Sequence, residues 1–220
     1  MQALTVATFN IHHGEGPDGV IDLQRTAEAI IETGAEIVAL QELDRGLLRS
    51  GEVDQPAILA ELTGMAVSFF PTLDRAGGEY GIALASFKPL DPSFVPLPRV
   101  GNEEPRGALV VRADGTWIVA THLATQRAAR ILQTTALADI TSRLEGEMTV
   151  LGDFNQTRRT LTPLVEIGLK PVGPHLVTHR GRLKGRQIDH IVVSSGLRAT
   201  EVFTVEAAAS DHIPLVARLT

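Results

Sequence analysis

The 220-residue chain is 44% apolar, carries a formal net charge of −6 and contains no cysteine. These values exclude disulfides, thiolate chemistry and Cys-ligated metals, and argue against disorder and against non-specific nucleic-acid binding. The length fits one domain, residues 1–220, with a substantial core. No segment reaches the roughly 18 consecutive apolar residues of a membrane span, and the strand-like N-terminus lacks a basic leader; a cytoplasmic protein is expected.

Residues 6–11 read as a buried strand with Asn10 near its end and His12-His13 just beyond it, followed by a mobile glycine-rich loop at 14–19. Asp22 is placed to cap a helix running to about Thr33, with Leu23, Ala27, Ile30 and Ile31 on one face and Gly34 as the stop. A strand at 37–40 leads to Gln41 and Glu42, and Asp54 can cap a short helix to Thr63. Strands are expected at 67–70, 81–85, 95–97, 109–112 and 117–121. Turn signals at Ala76-Gly77-Gly78, Lys88-Pro89 and Asp114-Gly115 separate them. A helix at 128–143, a strand at 148–151, a short helix at 161–166 and strands at 188–193, 201–205 and 215–219 complete the chain. So strand-rich a pattern does not suit a doubly wound sheet. Two sheets packed face to face with helices outside accommodate it.

Polar residues recur at strand edges. The sequence VLGDFN presents Asp153 and Asn155 after an apolar run and a glycine. Asn10 and Glu42 offer a neutral and an anionic oxygen, a donor pair suited to Mg²⁺ or Mn²⁺ and poor for zinc; an asparagine there also serves as a turn former. Asp189 suits the carboxylate partner that fixes the tautomer of His212, which leaves Asp211 free to meet a metal. His122 follows another apolar run. The remaining histidines, His12, His13, His175, His179 and His190, show no zinc-like spacing. There is no Gly-x-Ser-x-Gly elbow and no glycine-lysine phosphate loop. Arg180–Arg186, RGRLKGR, carries four positive charges and no acid. Such a run is either a solvated loop or a phosphate clamp.

Taken in order, TFNIH with Asn10, LQE with Glu42, YGIAL from Tyr80, Arg106, THL with His122, GDFN with Asp153 and Asn155, IDHI with Asp189, and SDHIPL with Asp211 and His212 resemble the endonuclease/exonuclease/phosphatase family. The resemblance runs from residue 5 to 215. It implies an α+β fold, a four-layer α/β/β/α sandwich of two mixed sheets, with the site at one end. It implies Glu42 as principal metal ligand, with Asn10 and Asp211 contributing directly or through water, and Mg²⁺ or Mn²⁺ as the ion. Asp153 would orient or deprotonate the attacking water and Asn155 hold a phosphate oxygen. His212, tied to Asp189, would donate to the phosphoryl group, and His122 would steady another oxygen or protonate the leaving group. Tyr80 and Arg106 would face the substrate phosphate, joined by Arg180, Arg182 and Arg186 if their loop folds over the crevice. Arg49, Ser50, Asp54 and Gln55 follow Glu42 and would support it.

The abasic-endonuclease branch of the family carries an acid two residues after the first-strand asparagine, where this chain has His12. The chain is also short and acidic. The expected activity is therefore hydrolysis of a small phosphoester or a lipid headgroup, with a nuclease as the alternative within the enzymes. A non-catalytic anion-binding module on the same fold is the alternative from another class. The oligomeric state is not legible.

Overall fold

A computed structural model describes residues 3–75, 77–181 and 185–220. Its first sheet contains β1 (Leu4–Asn10), β2 (Ile37–Arg45), β3 (Ala66–Arg75), β4 (Gly78–Ser86), β11 (Ala199–Thr204) and β12 (Leu215–Leu219), in the order β11-β12-β1-β2-β4-β3. The second contains β5 (Ser93–Pro96), β6 (Gly107–Ala113), β7 (Thr116–His122), β8 (Met148–Asp153), β9 (Lys170–Pro171) and β10 (Asp189–Val193), in the order β5-β6-β7-β8-β10-β9. Each sheet is mixed. Its single parallel pair, β1 with β2 or β7 with β8, sits at the centre among antiparallel neighbours.

Alternation along the strands explains the layers. Val6, Ala39, Leu84, Ile118, Leu151 and Ile191 pack between the sheets. The intervening residues of the first sheet, among them Ala7, Val38 and Leu40, pack outward against Ile30 of α1 (Leu23–Glu32) and Leu59 of α2 (Gln55–Thr63). Val119, Val150 and Val192 do the same on the second sheet, against Leu137 of α3 (Arg127–Ser142) and Leu164 of α4 (Thr162–Glu166). The result is the expected four-layer α/β/β/α sandwich. Asp22 and Asp54 cap α1 and α2 as the sequence predicts, each accepting from the backbone N–H three residues on.

Three local features differ from the sequence expectation. First, β2 does not stop at Leu40. It runs to Arg45 through a β-bulge, and the inserted residue is Glu42, at φ +63°. The bulge shifts the side-chain alternation by one residue, so Leu43 packs in the outer layer with Leu40 rather than facing the other sheet. Second, β3 continues past Phe70 to Arg75 through a bulge of its own between Pro71 and Leu73. Both bulges flank Gly81 of β4, where a Cβ would lie 2.1 Å from the Phe70 carbonyl oxygen. Third, the glycine-rich loop expected to be mobile is tied down: Arg25 donates to both Asp18 carboxylate oxygens and to Val20 O. Of the expected turn at 76–78, Ala76 lies outside the described residues.

Gly81→Ala is expected to destabilise the fold by more than ~2 kcal/mol, because the obstructing atom is backbone. Asp22→Ala should cost only about 1 kcal/mol, the ordinary loss of an N-cap. Urea unfolding of the two variants measures the contrast.

Candidate active site

The two parallel pairs point the same way, and their C-terminal ends meet at one end of the sandwich. β1 ends there at Asn10, β7 at His122 and β8 at Asp153, with the Glu42 bulge beside them. β10 runs antiparallel to β8 and so begins where β8 ends. Register places His122 opposite Asp153 and Asp153 opposite Asp189, one row across three strands. Just before β12, Ser210 Oγ donates to Asn10 O at 2.8 Å and accepts from His212 N–H at 3.1 Å. That seats Asp211 and His212 over the same end. A cavity of about 630 Å³ opens there, lined by Glu42, Tyr80, Arg106, His122, Asp153 and His212 among others.

Asn10 links the sheets. Its Nδ2 donates to Glu42 Oε1 at 2.9 Å and to Asp153 Oδ2 at 3.1 Å. Its Oδ1 accepts from His12 N–H at 3.0 Å, so the amide presents its nitrogen to the two carboxylates, not the oxygen expected of a ligand. Asp153 also accepts from Asn155 N–H at 2.7 Å. Burial, reinforced by the neighbouring charge of Asp189, pushes the Asp153 carboxyl up to about 7 against these donors and the nearby His212.

His212 Nδ1 lies 2.9 Å from Asp189 Oδ2, and Nε2 faces Asp153 Oδ2 at 3.7 Å. Burial alone would lower its pKa. The carboxylates of Asp189 and Asp153 outweigh that and raise it to about 10, so the ring is cationic at neutral pH. His122 is the opposite case. Burial, then the Arg106 charge, holds its pKa well below the usual imidazole range. Arg106 Nη1, always a donor, meets His122 Nδ1 at 3.0 Å, so the neutral ring carries its proton on Nε2, toward Asp153 at 3.5 Å. The Asn155 amide nitrogen donates to Leu123 O at 2.9 Å and, more weakly, to Asp153 Oδ2 at 3.4 Å, with His122 Nε2 3.3 Å away.

The segment after Glu42 is braced by bonds of its own. Buried Asp44 takes two bonds from Arg49, both 2.7 Å, and one from Ser50 Oγ. Gln55 accepts from Asp44 N–H and donates to His13 O. Asp54 is used as the α2 cap. Of the six non-glycine residues with positive φ among the described residues, four, His12, His13, Glu42 and Asn155, gather at this end, where strained backbone aims side chains.

Most of the predicted residues are thus brought together, with differences. Arg180 is turned away: its guanidinium bonds Ala207 O, Ser210 O and Glu206 rather than lining the cavity. Arg186 lies next to the cavity, in grooves that share Asn155 and Ile188 with it. Arg182 lies outside the described residues. His12 and His179 were passed over in the sequence and line the cavity, with nitrogens 3.9 and 3.4 Å from the Asp211 carboxylate. His179, His212 and His12 overcome burial and hold the Asp211 pKa well below the carboxylate range. For His12 the signal was its place two residues after Asn10. For His179 there was none, because it arrives by pairing with Arg186 and His212.

Among the described residues, three groups could hold a cation: His12 with His13 and Glu42, His179 with Asp211 and His212, and Asp153 with Asp189 and His212. Five carboxylates, Glu42, Glu103, Glu104, Asp153 and Asp211, line the cavity, and Asp189 beneath it has a buried Oδ1 without a hydrogen-bond partner, so the donors fit a hard divalent ion.

The sequence model of the Endonuclease/Exonuclease/phosphatase family matches residues 7–212. The chain belongs to that family. Solved structures show the same fold. An endonuclease/exonuclease/phosphatase from Beutenbergia cavernae superposes with a TM-score of 0.80 at 23% identity, over 100% of this chain and 72% of that one. A mannosyl-6-phosphatase from Bacteroides thetaiotaomicron gives 0.72 at 18%, over 99% of each chain. A 3′ phosphatase from Neisseria, bound to a product DNA hairpin, gives 0.70 at 18%, over 97% and 98%. No curated protein matches the sequence. Among the described residues, no helix is long and apolar enough to cross a membrane.

The buried His212 gives a signed prediction for EDTA-treated protein. A basic group with a folded pKa raised to about 10 adds stability that is full below its unfolded value of about 6.5 and lost as pH rises through the folded value. The urea midpoint should therefore fall between about pH 8 and 10, beyond the range in which Asp153 titrates. His212→Gln should flatten the fall; an equally steep fall in that variant contradicts the assignment.

Proposed function

We propose that the protein hydrolyses a phosphate ester with the help of a divalent cation, Mg²⁺ or Mn²⁺. One observation carries the reading: a carboxylate near its titration point, a cationic histidine and a neutral histidine converge on one cavity beside an oxygen-rich ligand set. Glu42 and Asp211 would hold the ion, and the Asn10 amide oxygen has a lone pair left for it. When bound, a divalent ion there supplies neutralisation of phosphoryl charge and acidification of water.

The remaining chemistry belongs to the chain. Asp153, raised to about 7, is matched to taking a proton from the attacking water at neutral pH, and Asn10 holds its carboxylate in line. His212, fixed by Asp189, presents a charged N–H to a phosphoryl oxygen as negative charge grows there. His122 offers Nε2–H without adding a full charge, steadied by Arg106. Asn155 contributes its amide oxygen side to the cavity and positions Asp153 through its backbone N–H. Tyr80, whose hydroxyl is kept protonated by burial and by Glu42, is a further neutral donor.

Small phosphoesters are the favoured substrates. The similar structures include phosphatases acting on a sugar phosphate and on a nucleic-acid end, and both reactions attack a terminal phosphate. A nuclease activity is the second reading, supported by that DNA-bound relative. Bis-p-nitrophenyl phosphate and p-nitrophenyl phosphate hydrolysis should vanish in EDTA and return with Mg²⁺ or Mn²⁺. His212→Ala should lower turnover by ~10²-fold or more with the fold intact by circular dichroism. Metal-independent hydrolysis, or a folded H212A variant of near-normal rate, would overturn the proposal.

A further inference from the structure

Beside the cavity a second groove of about 420 Å³ opens between the start of α3 and the segment after Asn155. Arg127, Arg130, Arg159 and Arg186 line it with the hydroxyl residues Thr157 and Thr160, and no carboxylate does among the described residues. In a chain of net charge −6, none of these four arginines makes an ion pair among the described residues. Neighbouring Arg158 shows the alternative, since its guanidinium is committed to the Val172 and Gly173 carbonyls.

The helix end is a second, independent observation. The N-terminus of α3 has no side-chain cap from Gln126 and no acid in its first turn. Helix starts attract negative charge, and here Arg127 and Arg130 add positive charge to the positive end of the dipole. Arg130 is half-buried, with Nε unpartnered and Nη1 on the Ala124 and Thr125 carbonyls. Burial, and then the charge of Arg127, press its pKa down against the opposing pull of Asp153 and Glu103. An anion in the groove would relieve both conflicts. Forked guanidinium groups, hydroxyls and open backbone N–H groups favour phosphate over carboxylate.

We propose that this groove binds a second phosphate group of the substrate, one phosphate lying in the cavity and another against α3. Asn155 and Ile188 line both spaces, so one molecule reaches both. The inference rests on the hydrolase reading and narrows it to substrates bearing at least two phosphates. A sugar bisphosphate and a short nucleic-acid strand share that chemistry.

Calorimetric titration of the Mn²⁺-loaded protein tests it, with inorganic phosphate, fructose 1,6-bisphosphate and a 5′-phosphorylated thymidine dinucleotide as probes. At least one two-phosphate probe should bind 10-fold or more tighter than inorganic phosphate. R127Q/R159Q, which alters two exposed side chains outside the catalytic cavity, should abolish that advantage. It should leave inorganic phosphate affinity and bis-p-nitrophenyl phosphate turnover unchanged. The probe that loses more identifies the source, small molecule or strand. Equal binding of all three probes, or an advantage that survives in the double variant, overturns the groove. Turnover of the reporter with no such preference sinks the groove alone; preference without metal-dependent turnover sinks only the hydrolase reading.

Discussion

Two carboxylates withdrawn from water side by side set the terms for this molecule. Asp153 and Asp189 face each other across β8 and β10 and are each 1% exposed. Burying one charge is costly, and burying two as neighbours is worse unless donors surround them. One donor is local, Asn155 from the turn after β8; the chain supplies the others from far away in sequence, Asn10 from the first strand and His212 from the approach to the last. The fold can be read as the scaffold that delivers them. The same crowding raises Asp153 toward neutrality and keeps His212 charged, so the electrostatic strain and the chemical competence have one origin.

Two sheets serve this end because each contributes a parallel pair of the same sense. An antiparallel pair ends its strands at opposite edges, whereas a parallel pair brings two C-terminal ends together. The crossovers through α1 and α3 make the pairs possible and also build the outer layers. Packing the sheets with both pairs aligned gathers four strand ends in one place, and the bulge in β2 then tilts Glu42 without disturbing the layers.

The fold was largely legible because apolar alternation and glycine punctuation are local. The caps at Asp22 and Asp54 needed no tertiary information. Asn10, His122, Asp153 and Asp189 stood out because each ends or begins an apolar run. Glu42 was found for an incomplete reason, since QELDR looks like the end of a strand; only the pairing with β4, which skips from Gln41–Ile82 to Leu43–Gly81, shows that it is a bulge instead. Arg180 and His179 show the limit. They are adjacent in sequence, yet backbone pairing with Arg186 and His212 turns one toward Asp211 and leaves the other to Glu206. Nothing in residue type or spacing distinguishes them. The acid-free groove was equally hidden, because its arginines come from three separate segments.

The bond from Ser210 to Asn10 spans 200 positions of sequence. A contact so remote, like the β1–β12 pairing beside it, forms only once the last strand is in place. A partly folded chain therefore holds Asp153 on one half and its Asn10 and His212 companions on the other. The full set of partners around Asp153 exists only in the completely folded chain.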